Sequence, residues 1–267
     1  MRVYNQLRGI ILCALSLCVL PIISSSVYGT LISYSDVPGA HVNYTDIQEN
    51  TTRLSIPTSS DPTPVFGQPT GSDSLGFPGL SFKATSTGNG FDLAKSILSM
   101  TINAKNNTQG ISEIKFSELG DYTLARITLT ADPSAEVKAI GWITVEEING
   151  VSISPFVVVP NLSGAQFDNL FNLATDSKSI TTNWSGILDF DITDAIRDKG
   201  YTTGYATKVS LSITNTLTAS SDADSAALIE KGVGVNLAVA TVNVPEPSTL
   251  IMLLIGALGL GIWRRNK

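Results

Sequence analysis

Carboxylates are the only catalytic or metal-binding side chains this sequence holds in quantity, and their spacing sets the chemistry open to them. The densest group is Asp189, Asp191 and Asp194, with Asp198 beyond. On a strand, Asp189 and Asp191 share one face, with Ile187 and Phe190 read as packing positions. Asp194 follows at the turn into a short helix, so three carboxylates are placed to offer oxygen ligands to calcium. The spacing misses the EF-hand loop, which needs a glycine at its sixth position and a glutamate at its twelfth. Helix capping and surface solvation account for the same residues, and calcium here is the only cofactor the sequence admits. Glu146 and Glu147 are neighbours, so a strand sends them to opposite faces, which is wrong for a cooperating acid and base in glycoside cleavage.

Other catalytic arrangements are short of parts. His41 is the single histidine and follows the turn-like Pro38-Gly39-Ala40. A Ser-His-Asp triad would have to use it, and no Gly-x-Ser-x-Gly elbow accompanies it. Gly88-Asn-Gly90 and Gly232-Val-Gly234 lack the third glycine of a dinucleotide loop and read as turn or bulge glycines. No catalytic residue is assigned, and the expectation is a protein that is not an enzyme. Two tryptophans are candidates for stacking on sugar rings. Trp142 alternates in phase with Ile140 and Thr144 and out of phase with Ile143 and Val145, so it faces outward. Trp184 sits in a looser context, and packing in the core or at a sheet edge is the competing reading for both.

The elements that would position these residues are strands. Residues 98–104, 122–130, 137–145, 209–217 and 233–242 alternate apolar and polar side chains with period two. Asn149-Gly150 lies between two such runs and is the strongest hairpin signal in the chain. Polar, glycine-rich spacers, notably residues 57–78, read as loops, and that one is long enough to separate an N-terminal strand pair from the rest. Helix is expected only in short pieces: residues 164–174, where Phe167, Leu170 and Phe171 have helical spacing, residues 192–199 with Asp191 as N-cap and Gly200 as stop, and one or two turns within residues 221–231. Many strands without a βαβ rhythm predict an all-β fold, an antiparallel β-sandwich or jelly roll with a few short helices.

Both ends carry transport signals. Arg2 and Arg8 precede an apolar run from Ile10 to Leu20, and small residues follow up to Gly29, so residues 1–29 read as a secretory signal peptide. Cys13 and Cys18 lie inside it, which leaves the mature chain without cysteine. Its stability must then come from its core. The body, residues 30–243, holds twelve basic and twenty-two acidic residues. So acidic a body argues against nucleic acid and anionic membrane as partners.

At the far end, Pro245 and Pro247 fix φ around Glu246 and hold it in an extended, accessible segment. Fourteen uncharged residues, 250–263, come next. As a helix they span roughly 21 Å against a hydrocarbon core of roughly 30 Å. Ser248 and Thr249 extend that helix outward, giving a transmembrane helix over 248–263. Trp263 suits the interface, and Arg264, Arg265 and Lys267 hold the cytoplasmic side and act as a membrane stop.

Val244-Pro245-Glu246-Pro247, a short apolar helix and a terminal basic cluster, in that order over residues 244–267, resemble the PEP-CTERM signal of Gram-negative bacteria. The resemblance implies that Pro245, Glu246 and Pro247 are read by an exosortase, a membrane-embedded peptidase. On that reading the chain is exported through the inner membrane, held there transiently, and sorted to the cell surface or extracellular matrix as the tail is cut away. It implies nothing about the body. The combined expectation is a non-enzymatic cell-surface or exopolysaccharide-matrix protein, with exopolysaccharide or other surface proteins as further partners. The alternatives are a carbohydrate-binding, lectin-like adhesive module and a carboxylate-dependent glycan hydrolase.

Overall fold

The computed structural model describes residues 29–58, 60–106, 108–160 and 168–244. In chain order the strands are β1 (Thr30–Ser33), β2 (Val37–Pro38), β3 (Val42–Ile56), β4 (Thr70–Gly71), β5 (Ser74–Gly76), β6 (Lys83–Thr87), β7 (Gly90–Ala104), β8 (Gln109–Arg126), β9 (Ser134–Ile148), β10 (Val151–Val158), β11 (Asp168–Asn172), β12 (Ser179–Asp191), β13 (Ala206–Ser221), β14 (Ser225–Lys231) and β15 (Asn236–Asn243), with one helix, α1 (Ile192–Asp198), between β12 and β13. All pairings are antiparallel, as alternating strands joined by short turns favour.

Two layers result. In the first, β1 and β2 share the outer edge of β3, and the order continues β3-β7-β13-β9, with β10 and β11 sharing the outer edge of β9. In the second, β12 runs along one side of the long β8. On its other side β15, β5 and β4 cover the first half and β14 and β6 the second. Among the described residues a single pairing, Ala206 with Ile111, joins the layers at one end. The expected antiparallel sandwich is therefore the fold observed.

The core is where the inner faces meet. β7, β9 and β13 contribute Leu98, Ile102, Ile143, Val145, Leu211 and Ile213, and the opposite layer contributes Ile114, Phe116, Leu124, Phe190, Ile229 and Leu237. Each such side chain contributes roughly 1.5–3 kcal/mol when fully buried. Phe66, Phe77, Phe82 and Phe116 form one aromatic group with ring centroids 5.4–6.4 Å apart. Phe66 and Phe77 come from residues 57–78, so that segment does not divide the body. It lies across the sandwich and fills its core, and it contains β4 and β5.

The Asn149-Gly150 hairpin forms as its sequence predicts, with φ of 51° and 75°. These positive values suit Asn-Gly and match the twist of β9 and β10. α1 also forms where expected: Asp191 accepts a hydrogen bond from Asp194 N, and Ile192 and Ile196 are buried.

Two predicted helices are strands instead. Within residues 164–174 the described part is β11, an edge strand on β9 that leaves Leu170 exposed and stacks Phe171 on Tyr122 at 4.1 Å. Five residues beside an unpaired edge gain more hydrogen bonds as strand than as helix. Phe167 lies outside the described residues. The segment over 221–231 turns at Asp222 and becomes β14, whose period-two face buries Ala227, Ile229 and Lys231. Lys231 hid the alternation, because a lysine at its end reads as a solvated position.

Candidate functional site

Trp142 stands on the outer face of β9, 40% exposed, as its phase predicts. Strand register lines Trp142 up with Ser212 on β13, Ser99 on β7 and Gln48 on β3. Thr144, Ser210 and Thr101 form a parallel row, and the two rows line an open groove of about 300 Å³. Four strands span roughly 14 Å at the usual strand spacing. A bulge in β3 between Thr45 and Gln48 puts Asp46 at φ 54° and turns it toward the far end. Ser210 donates to Glu146, and this bond, with Lys208 Nζ 3.0 Å from the other carboxylate oxygen, holds Glu146 below the usual glutamate range despite partial desolvation. The groove thus has an aromatic wall, a hydroxyl-bearing floor and one acidic end, at Asp46.

Trp184 corrects its expectation. It is only 6% exposed and packs over Gly120, so no sugar reaches it. Its strand, β12, turns that face into the sandwich. The acidic group also separates. Asp189 lies 3.6 Å from Lys115, and desolvation together with the nearby Glu113 raises its pKa. Asp191 caps α1, and Asp194 pairs with Arg197 at 2.5 Å. Asp191, Asp194 and Asp198 line a hollow of about 520 Å³ beside β10. Yet no three acidic or histidine side chains among the described residues are grouped to hold a metal. Ile187, expected to pack, is in phase with Asp189 and faces solvent, while Leu188 and Phe190 carry the packing. His41 Nδ1 is 2.6 Å from Asp73, whose carboxylate also accepts from His41 N; these bonds outweigh desolvation and lower the Asp73 pKa. That arrangement fastens a turn to residues 72–74.

Sequence reading missed a polar centre inside the sandwich. Glu118 on β8, Asn215 on β13 and Lys231 on β14 all point inward and are buried. Lys231 Nζ bonds to Glu118 Oε1 and lies 2.7 Å from Asn215 Oδ1. It also lies 5.3 Å from the Phe66 ring and 4.9 Å from that of Phe82. Burial raises the Glu118 pKa, and the lysine opposes this; burial lowers that of Lys231 to about 8 against the pull of Glu118 and Glu49. The Asn215 amide is near enough to favour ionised Glu118, although its Nδ2 makes no hydrogen bond of proper geometry. A second buried carboxylate, Glu49, accepts from Tyr34 Oη, Ser96 Oγ and Phe66 N at 2.6–3.0 Å and ties residues 57–78 to the sheet. The signal for all of these was phase. Glu118 alternates with Phe116 and Tyr122, and Asn215 with Ile213 and Leu217, on faces that are otherwise apolar.

The last described feature is the exit of the chain. Asn243 pairs with Gln109, and Val244 N bonds to Thr108 O at 2.6 Å. Gly29 is the first described residue, so the rest of the signal peptide, Pro245, Glu246, Pro247, the helix over 248–263, Trp263, Arg264, Arg265 and Lys267 lie outside the described residues. Among the described residues no helix is long and apolar enough to cross a membrane.

The fold and this exit define a β-sandwich body with a processing tail. The family model of the PEP-CTERM protein-sorting motif matches residues 243–265, and the chain carries that motif from the last paired residue of β15 onward. The motif marks an exported protein sorted at the membrane by exosortase. No curated protein matches the chain. Among solved structures, the endoglucanase 3 of Trichoderma harzianum, from family GH12, aligns at 12% identity over 82% of this chain and 99% of that one, with a TM-score of 0.17. A structure of infectious bursal disease virus, Gt strain, aligns at 11% identity over 84% of this chain and 43% of that one, with a TM-score of 0.14. Scores this low carry no argument about fold or activity.

Proposed function

We propose that the protein is a non-enzymatic structural component of the cell surface or exopolysaccharide matrix of a Gram-negative bacterium, delivered by exosortase cleavage of its tail. One observation carries this reading: the sorting motif begins where β15 ends, so cutting the tail removes no strand from the sandwich. The acidic, cysteine-free body suits the extracellular medium, and Glu146 and Asp194 are each tied to a neighbouring cation. Changing Glu246→Ala keeps Pro245 and Pro247 but removes the charge a peptidase would read. The variant is expected to stay in the inner membrane while the wild type reaches the surface without its tail. Peptide mass spectrometry of the surface fraction checks this, and finding the basic end from Arg264 to Lys267 still attached there overturns it.

A second reading, a carbohydrate-binding role, is favoured by the exposure of Trp142 above a floor of hydroxyls. An aromatic face stacks on the apolar face of a sugar while hydroxyls and carboxylates meet its polar rim. Trp142→Ala is expected to abolish retention on a glycan array and leave the melting temperature unchanged, since the ring is not in the core. Equal binding by both proteins removes the groove from consideration. Glycan turnover that survives Trp142→Ala but disappears with an acidic substitution would support a hydrolase instead.

A further inference from the structure

We propose that Lys231 and Asn215 condense into an isopeptide bond across the sandwich, with Glu118 moving the protons and ammonia leaving. The inference rests on three inward-facing residues from three strands. Lys231 and Glu118 belong to one layer, where Lys231 pairs with Gly120, two positions along β8 from Glu118. Asn215 comes from β13 in the opposite layer and places its amide oxygen 2.7 Å from Nζ. The nucleophile, the acyl carbon and the proton carrier are therefore held together before any reaction. Positioning of this kind gives effective molarities on the order of 10⁵–10⁸ M.

The surroundings suit aminolysis. The side chains of Lys231 and Glu118 are fully shielded from solvent, and the Phe66 and Phe82 rings close over the ammonium. In such a medium the charged pair loses its hydration, and passing a proton from lysine to glutamate leaves two neutral groups. The directions of the two pKa shifts agree with this transfer. The amine then has a free lone pair, and Glu118 has a proton to give. Two atoms of the centre are otherwise idle. Asn215 Nδ2 and Glu118 Oε2 have no hydrogen-bond partner among the described residues. A buried donor without an acceptor is unfavourable, and condensation expels the one on Asn215.

The step balances without any outside reagent. The Nζ lone pair forms the bond to Asn215 Cγ as the carbonyl pair moves onto Oδ1, which takes the Glu118 proton. The carboxylate next removes a proton from Nζ and hands it to Nδ2. The Cγ–Nδ2 bond breaks, ammonia departs, and the proton on Oδ1 returns to Glu118. An amide joins β13 to β14, and Glu118 ends protonated as it began. Exclusion of water removes hydrolysis as a competitor. The product ties together two layers that a chain without mature cysteines has no disulfide to join.

Mass spectrometry of the protein recovered from the cell surface decides the matter. After trypsin digestion, the expected result is loss of cleavage after Lys231, since an acylated lysine is not a trypsin site. The peptide holding residues 215 and 231 should be lighter than its sequence by one ammonia, with no backbone fragments separating the two positions. Glu118→Gln should restore cleavage after Lys231 and the full sequence mass. Asn215→Asp should reach the same cross-linked mass by losing water. Efficient cleavage after Lys231 in the wild type overturns the proposal, whether the mass is unchanged or an ammonia is lost through a succinimide at Asn215. The wild-type peptide suffices if a variant fails to fold, and a cross-link that persists in Glu118→Gln overturns the role given to Glu118.

Discussion

Single residues on the inner faces set how closely the layers approach. Gly120 lies between Trp184 and the backbone of β14, and a Cβ there would stand 2.0 Å from Glu230 O and 2.6 Å from the indole ring. Neither the carbonyl nor the buried ring can yield, so Gly120→Ala must push β14 away from β8 at the position where Lys231 enters the core. We expect a loss of at least about 3 kcal/mol, the upper range for overpacking, read as a lower midpoint in denaturant unfolding. Gly76→Ala is the control, because a Cβ at Gly76 meets nothing within 4 Å. Arg126 acts differently, donating to Ser177, Ala131 and Ala174 carbonyls and so fastening two loops at once. Glu118, Asn215 and Lys231 were legible in their strands only as polar residues in apolar phase. Nothing local indicated that they would meet.

At the level of elements, α1 shows why an acidic run need not be a metal site. Asp191 faces the first turn and satisfies Asp194 N, while Asp194 reaches Arg197 in the last turn. Asp191→Ala should lower stability by about 1 kcal/mol, as loss of an N-cap does, with a melting-temperature fall of roughly 2–4 °C. Calorimetry of the wild type with calcium and with EDTA should give the same midpoint. A calcium-dependent rise that Asp191→Ala removes would restore the metal reading. The hairpin and α1 were foreseen because their determinants, Asn149-Gly150 for one and the Asp191 cap with its Gly200 stop for the other, are local. β11 and β14 were not, because each is made a strand by a partner: β9 for one, β6 and β8 for the other.

For the whole molecule, the buried and half-buried carboxylates predict a particular response to acid. Asp73 and Glu146 titrate below their usual range in the folded state. Their stabilisation is complete above the unfolded values near about 4 and is lost as pH falls through the lower folded ones. Asp92 behaves oppositely, since desolvation raises its pKa despite the Thr85 N–H bond and Arg53 at 2.5 Å. Its ionised form is disfavoured in the folded state, and protonation relieves this as pH falls through the raised value. The melting temperature should therefore hold or rise slightly on mild acidification and then drop below about pH 4. Asp73→Asn should flatten part of that final drop. A steady decline from neutrality in the wild type would show that these groups do not govern the acid limb.

The sorting tail, the β class and the hairpin were determined by the sequence alone, because each is written in consecutive residues: a Pro-Glu-Pro segment, a period of two, an Asn-Gly turn. Outward Trp142 followed from the same period. Tertiary structure alone decided that Trp184 is buried, that residues 57–78 supply core aromatics, and that Asp189 parts from Asp191 and Asp194. It also decided that Glu118, Asn215 and Lys231 share one dry centre. Alternation specifies which side chains share a face but not which face lies opposite. That depends on strand order and register between residues more than a hundred positions apart, such as Glu118 and Lys231, which only the closed sandwich brings together.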